Sequence, residues 1–237
     1  MNNILVLFPW QADADMVAYA REFVPADIDV TGLKQGCVTG NRSGMAYLVP
    51  NLLDTIIDAE RQGYKAVVLV CHSDPGVQEA RELVDIPVIG PTMVALHISL
   101  MLGHKVCILQ PSLGGRLLTY QNVILYGFEN RVVVRAINSS GTEADQAYKE
   151  YKVSKGKITG FTADILAECL KAIEEDGVDT ITFGCGSIMW MKEIIQSELA
   201  KKGYKPTVVN PLPTAVEIAR SLVNLRLTHS RLIYPKA

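Results

Sequence analysis

Two stretches decide the fold: Gly63-Tyr64-Lys65-Ala66-Val67-Val68-Leu69-Val70-Cys71 and Gly177-Val178-Asp179-Thr180-Ile181-Thr182-Phe183-Gly184-Cys185. Each begins on a glycine that follows a helical pattern. Each then runs through an apolar strand and ends on a cysteine eight residues past the glycine. The strands lack the apolar–polar alternation of a sheet with one wet face, so both faces are expected to be covered. Ala66–Cys71 and Thr180–Gly184 are the predicted strands within this pair. Outside it, similar runs predict strands at Ile4–Phe8, Val88–Gly90, Lys105–Gln110, Arg131–Ala136 and Thr207–Asn210. Helical patterns lie between many of them. Met45–Gln62 is one; Ala163–Glu175 is another, with Ile165, Leu166, Cys169, Leu170 and Ile173 on one face. Strands alternating with helices imply parallel sheets joined by crossover helices.

The duplication extends beyond the quoted pair. Ile4-Leu5-Val6-Leu7-Phe8-Pro9 matches Val106-Cys107-Ile108-Leu109-Gln110-Pro111, and the stretch from Pro91-Thr92 to Ser99-Leu100 matches that from Pro213-Thr214 to Ser221-Leu222. A period of about one hundred residues is too long for a solenoid. The expectation is an α/β protein with two similar parallel-sheet domains, flavodoxin-like or Rossmann-like, related by a pseudo-two-fold axis. The first comprises residues 1–97 plus 211–237 and the second 98–210, with the active site in the cleft between them.

Composition narrows the function. The chain has 237 residues, 49% of them hydrophobic, and a net charge of −2. That apolar fraction excludes disorder, and the near-neutral balance removes the usual electrostatic attraction to nucleic acid or an anionic membrane. No apolar run approaches the ~20 residues that cross a bilayer, and the start, Met1 to Pro9, reads as a strand and not as a signal peptide. The five cysteines are odd in number and none forms a C-x-x-C pair, which argues against a disulfide framework or a zinc ribbon and for a reducing cytoplasm. Cys107 and Cys169 fall on apolar faces and are expected to pack; Cys37 lies in a glycine-rich loop and has no assigned role. His72-Ser73-Asp74 lacks further ligands at usable spacing, so no metal is expected, and Gly184-Cys185-Gly186 is no dinucleotide fingerprint. Asp74, before Pro75-Gly76, is expected to cap the helix that follows.

Ligands of open parallel sheets sit beyond the carboxyl ends of the strands. Cys71 and Cys185 fall there at equivalent positions, each before an expected helix start, His72 to Gly76 and Gly186-Ser187-Ile188. If the halves face each other, two sulfurs flank one molecule. A carbon acid held between them could lose a proton on one side and gain one on the other, inverting a stereocentre. Backbone amides at a helix start lower a thiol's pKa and hold enolate charge, so no pyridoxal cofactor is needed.

At these residues the chain resembles the aspartate/glutamate/hydantoin racemase superfamily, on the hydantoin (allantoin) racemase branch. The resemblance rests on Cys71-x-x-Asp74-Pro75-Gly76, Ala80-Arg81-Glu82-Leu83, Ile86–Gly90, Leu102-Gly103-His104, Tyr126–Glu129, Gly184-Cys185 and the tail Thr228–Pro235. It implies a cofactor-independent racemase of two α/β domains, with Cys71 and Cys185 as the paired acid and base. It also implies substrate contacts from the turn after the first strand. Here that turn is Phe8-Pro9-Trp10-Gln11, where the family has an Asn-Pro-Asn-Thr-like turn. Only Pro9 matches, and Trp10 replaces a small amide. His72-Ser73 stand where an aromatic and a glycine are common, and Gly186-Ser187 where Ala-Gly is. With Ser112 opposite Trp10 by pseudo-symmetry, the expected substrate contacts are Pro9, Trp10, His72, Ser73, Ser112, Gly186 and Ser187. The expected activity is racemisation or epimerisation beside a carbonyl, on a 5-substituted hydantoin, allantoin or a related amino-acid derivative, by a homo-oligomer. The alternatives are a maleate-isomerase-like or arylmalonate-decarboxylase-like reaction on the same scaffold, and a non-catalytic small-molecule binding protein.

Overall fold

Val, Ile and Leu dominate the strands because their side chains pack on a pleated surface covered on both sides. The computed structural model describes residues 3–36, 41–154, 158 and 160–236; Cys37 lies outside them. The first half runs β1 (Ile4–Phe8), α1 (Ala14–Arg21), β2 (Asp29–Gly32), α2 (Arg42–Arg61), β3 (Ala66–Leu69), α3 (Val77–Leu83), β4 (Val88–Ile89) and α4 (Pro91–Leu102). The second runs β5 (Val106–Gln110), α5 (Leu113–Leu125), β6 (Val132–Ala136), α6 (Gly141–Val153), α7 (Gly160–Glu174), β7 (Thr180–Phe183), a 3₁₀ helix (Gly186–Met191), α8 (Lys192–Lys201), β8 (Thr207–Val209) and α9 (Pro211–Asn224).

The strands form two parallel four-stranded sheets, ordered β2-β1-β3-β4 and β6-β5-β7-β8. The order is the same in both, so the duplication read from sequence is a duplication of topology. The registers agree as well: Leu7 lies opposite Leu69, and Leu109 opposite Phe183. Val88 pairs with Val67 and Val208 with Ile181. Gly90-Pro91 therefore corresponds to Asn210-Pro211, and α9 begins at Pro211. The Pro-Thr match at Pro213 was two residues out of register, because identical dipeptides outweighed strand pairing.

The chain divides into two compact units, residues 1–94 with 212–237 and residues 95–211. In the first, Leu5, Leu7, Val67, Leu69 and Val88 meet Leu48, Leu52, Ile56 and Ala59 of α2. The α2 residues recur every three to four positions, as one face of a helix requires. The helix starts at Arg42, three residues before the predicted start, because the Asn41 side chain accepts the Gly44 N–H at 2.8 Å. It continues through Pro50, where burial of the stripe outweighs the lost backbone bond. In the second unit, Val106, Ile108, Val132 and Val134 pack with Leu96 and Val123.

Sequence reading missed β2. Its Asp-Val-Thr-Gly is polar and half-exposed, an edge strand without a buried run. Gly32 is required there, since a Cβ would stand 2.5 Å from the Ala12 nitrogen and 2.7 Å from the Trp10 carbonyl oxygen.

Two sequence pieces far apart meet in the first unit. Arg81, buried on α3, donates from Nε and Nη2 to the Val88 carbonyl (3.3 and 3.2 Å) and from Nη1 to the Tyr234 hydroxyl (3.1 Å). His229 Nε2 accepts the Val88 N–H at 2.9 Å. The tail thus pairs with the edge strand β4. Burial, then the Arg81 and Arg231 charges, push the His229 imidazole down to about 4. Its folded value lies below the unfolded ~6.5, so the unfolded chain takes up the proton first and stability falls as pH drops from about 6.5 towards 4. The ceiling is roughly 3 kcal/mol, less for the ring's partial exposure. Urea midpoints are expected to fall between about pH 7 and 4.5, and His229→Gln, whose amide oxygen still accepts the Val88 N–H, should flatten part of that fall. Identical slopes in both proteins would remove His229 from the account.

Candidate active site

Both cysteines leave the sheet at the same point. The Val70 N–H donates to the Leu7 carbonyl (3.0 Å) and the Gly184 N–H to the Leu109 carbonyl (2.7 Å). Each cysteine is the next residue. In each sheet the strand order reverses between β1 and β3 or between β5 and β7. Sheets of this order hold ligands beyond the carboxyl ends at such a switch point. In the first unit Pro9 and Trp10 follow β1, and Cys71, His72 and Ser73 follow β3. In the second Ser112 follows β5, and Cys185, Gly186 and Ser187 follow β7. Cys71 is buried and Cys185 half-buried.

The loop after Cys71 departs from expectation. No helix starts directly behind the cysteine; α3 begins at Val77 with Gly76 as its N-cap and no side-chain capping bond. Asp74 and Gly76 both adopt left-handed conformations, with φ of 47° and 65°, so neither can lie inside a right-handed helix. Asp74 caps a different helix. Its carboxylate accepts the N–H groups of Thr92 (3.1 Å) and Met93 (3.0 Å) at the start of α4, where negative charge complements the helix dipole. Thr92 in turn donates its hydroxyl to the His72 carbonyl at 2.5 Å. Gly90 makes room: a Cβ there would lie 2.4 Å from the Asp74 carboxyl carbon.

The loop after Cys185 is built differently. Cys185 is extended, φ −147°, and occupies the N-cap position of the 3₁₀ helix that begins at Gly186, with no side-chain capping bond. Its Sγ lies 3.2 Å from the Ser187 hydroxyl. Gln110, buried at the end of β5, donates its amide to the Gly184 carbonyl (2.7 Å) and to the Thr119 hydroxyl. Gly184 makes room for this amide, because a Cβ would fall 2.3 Å from Gln110 Nε2 and displace it. Asn210, the counterpart of Gly90, donates to the Met189 carbonyl at 3.3 Å. In one unit the loop reaches out to the crossover helix through Asp74; in the other Asn210 reaches back to the loop. Sequence reading missed Gln110 and Asn210. The available signal was a polar residue ending an otherwise apolar strand.

Trp10 is half-buried against the first core and edge-on to Phe8 at 5.8 Å. Its buried indole N–H has no hydrogen-bond partner among the described residues. His72 is 2% exposed, and burial, opposed by a weaker interaction with the Val70 backbone, pushes its imidazole down to about 3; it is neutral. Ser112 caps α5, accepting the Gly115 N–H at 3.2 Å. Burial pushes the Cys107 thiol up to about 12 and Cys169 well above its ordinary value, so both stay protonated. Among the described residues no three His, Cys, Asp or Glu side chains cluster to hold a metal ion.

Comparison with known proteins agrees with this fold. A family profile described as Asp/Glu/Hydantoin racemase matches residues 29–219. The hydantoin racemase of Pseudomonas sp. (strain NS671) is 25% identical over 188 residues, 78% of this chain and 68% of that protein. The solved allantoin racemase from Pseudomonas fluorescens shares the fold at TM-score 0.81 and 23% identity, covering 99% of this chain and 97% of that one. Unliganded arylmalonate decarboxylase does so at TM-score 0.57 and 19% identity, covering 94% of this chain and 93% of that one. The profile spans most of the sequence, including both cysteine strands, and the chain belongs to the Asp/Glu/hydantoin racemase family and is an isomerase.

Proposed function

We propose that the enzyme racemises a 5-substituted hydantoin, allantoin or a closely related amino-acid derivative, with Cys71 and Cys185 on opposite faces of one substrate. The observation that carries this reading is their equivalence: each follows the last hydrogen-bonded residue of the third strand in a repeated sheet. One cysteine, as thiolate, takes the proton from the stereogenic carbon. The C–H electron pair moves into the adjacent carbonyl, giving an enolate. The other cysteine, as thiol, delivers its proton to the opposite face, and the two exchange protonation states. The amides of Gly186 and Ser187, at the first turn of the 3₁₀ helix, would hold enolate charge.

A ring imide suits this site better than a free amino acid. Its α-proton is easier to remove than one beside an anionic carboxylate. His72, buried and neutral, suits a neutral amide and not an anion. Pro9, Trp10, Ser73 and Ser112 complete the proposed contacts. The chemistry needs no cofactor. In this reading the protein is a homo-oligomer of the reducing cytoplasm, where both thiols stay reduced. No helix among the described residues is long and apolar enough to cross a membrane.

The test is racemisation in deuterated water. A single enantiomer of a 5-substituted hydantoin or of allantoin is expected to lose optical activity while gaining one deuterium at the stereogenic carbon, without added cofactor. No exchange with any such substrate would exclude the assignment. Gln110→Leu probes the supporting structure. It leaves the Gly184 carbonyl without its amide donor, at a cost of about 1–3 kcal/mol of stability. It is expected to lower kcat about tenfold or more with a much smaller change in KM, since small displacements of a reacting group are costly. A wild-type kcat would show that Cys185 needs no such support.

A further inference from the structure

The 3₁₀ helix behind Cys185 is six residues long, and such helices have poor hydrogen-bond geometry of their own. Side-chain anchoring therefore sets its shape. Trp190, only 7% exposed, donates its indole N–H to the Ser187 carbonyl at 3.0 Å. Its ring packs against two tyrosines of α6, with centroids 5.7 Å from Tyr148 and 5.0 Å from Tyr151. The residue so held, Ser187, is the one whose hydroxyl stands 3.2 Å from Cys185 Sγ.

We propose that Trp190 is a positioning residue: steadied by Tyr148 and Tyr151, it fixes Ser187 so that the serine hydroxyl stays on the Cys185 sulfur through both protonation states. A hydroxyl has one donor and two acceptor sites and can rotate. It donates to the sulfur when Cys185 is a thiolate and accepts the S–H when Cys185 is a thiol. One contact thus serves both halves of the proton cycle. This role rests on Cys185 being an acid–base residue, but its consequence for thiol reactivity can be read without any racemase assay.

The experiment is alkylation by iodoacetamide between about pH 6 and 10, with Cys71 and Cys185 followed separately by mass spectrometry of their peptides. Ser187→Ala is expected to move the Cys185 profile to higher pH. Below its inflection the ionised fraction falls about tenfold. The more basic thiolate is intrinsically more nucleophilic, so the rate falls only about threefold there and rises above the inflection. Ser187→Thr should restore the wild-type profile. Trp190→Phe keeps the ring stack but removes the N–H donor, and should move the profile in the same direction as Ser187→Ala. If that variant does not fold, Tyr151→Leu, which loosens the ring and keeps the donor, should give a smaller shift of the same sign. The Cys71 profile should not change in any of them.

A Cys185 profile in Ser187→Ala that superimposes on wild type would overturn the proposal. So would an equal shift of Cys71, which signals general loosening. A shift in Ser187→Ala with none from any Trp190 or Tyr151 variant that folds would remove the positioning role from Trp190. Failure of racemisation with every hydantoin tried would leave these profiles intact, so the two readings fail separately.

Discussion

Cys71→Ser and Cys185→Ser are each expected to lower racemisation by about a thousandfold or more, while each retains proton exchange on one enantiomer only. A serine hydroxyl is far too weakly acidic to replace a thiolate base at neutral pH, and losing a positioned acid or base costs about 10²–10⁴-fold. Inversion needs both partners and fails in both variants. Exchange on one face needs a single working thiolate. In Cys71→Ser the remaining Cys185 can remove a proton from the enantiomer that presents it and return a deuteron to the same face, leaving the configuration unchanged. In Cys185→Ser the opposite enantiomer should exchange. Chiral chromatography with mass detection in deuterated water reads both outcomes. Full racemase activity in both variants would end the two-cysteine mechanism, and exchange of both enantiomers by one variant would show that a single base reaches the proton of either, against one cysteine per face.

Asp74→Ala is expected to have the second largest effect, on stability and activity together. The carboxylate accepts two backbone N–H groups at the start of α4, and alanine removes this acceptor from both. Loss of a helix cap costs about 0.5–2 kcal/mol, and buried orphan donors add to that. A total of about 2–4 kcal/mol in urea denaturation is expected. The Asp74 backbone is also held in a left-handed conformation, which alanine tolerates less well than aspartate. The loop that carries Cys71 should relax, and turnover should fall more than the stability loss alone explains at a temperature where the variant is fully folded. Asp74→Asn keeps one oxygen acceptor and should recover part of both. A fully active, fully stable Asp74→Ala would show that this loop holds Cys71 by other means.

The strands carrying the site were legible because they are buried on both faces. Ala66–Leu69 is a continuous apolar run, Thr180–Phe183 (Thr-Ile-Thr-Phe) matches it between its own glycine and cysteine, and this repetition disclosed the shared topology. The edge strand Asp29–Gly32 was not legible, since half-exposure removes the apolar run and leaves only a tight glycine as its mark. Asp74 was recognised as a cap but assigned to the wrong helix. Sequence shows that a carboxylate precedes Pro75-Gly76, whereas the N–H groups it serves lie eighteen and nineteen residues away. Gln110 and Trp190 escaped for the same reason: their partners, Gly184 and Ser187, are defined by tertiary packing or by a 3₁₀ turn, neither of which leaves a periodic signal.

The most direct measurement is a crystal structure of the enzyme with a slowly reacting 5-substituted hydantoin bound. The account predicts the Cys71 and Cys185 sulfurs on opposite faces of the ring, each roughly 3–3.5 Å from the same stereogenic carbon. A ligand touching one sulfur while the other faces a separate cavity, or a sulfur closed off from the bound molecule, would contradict it.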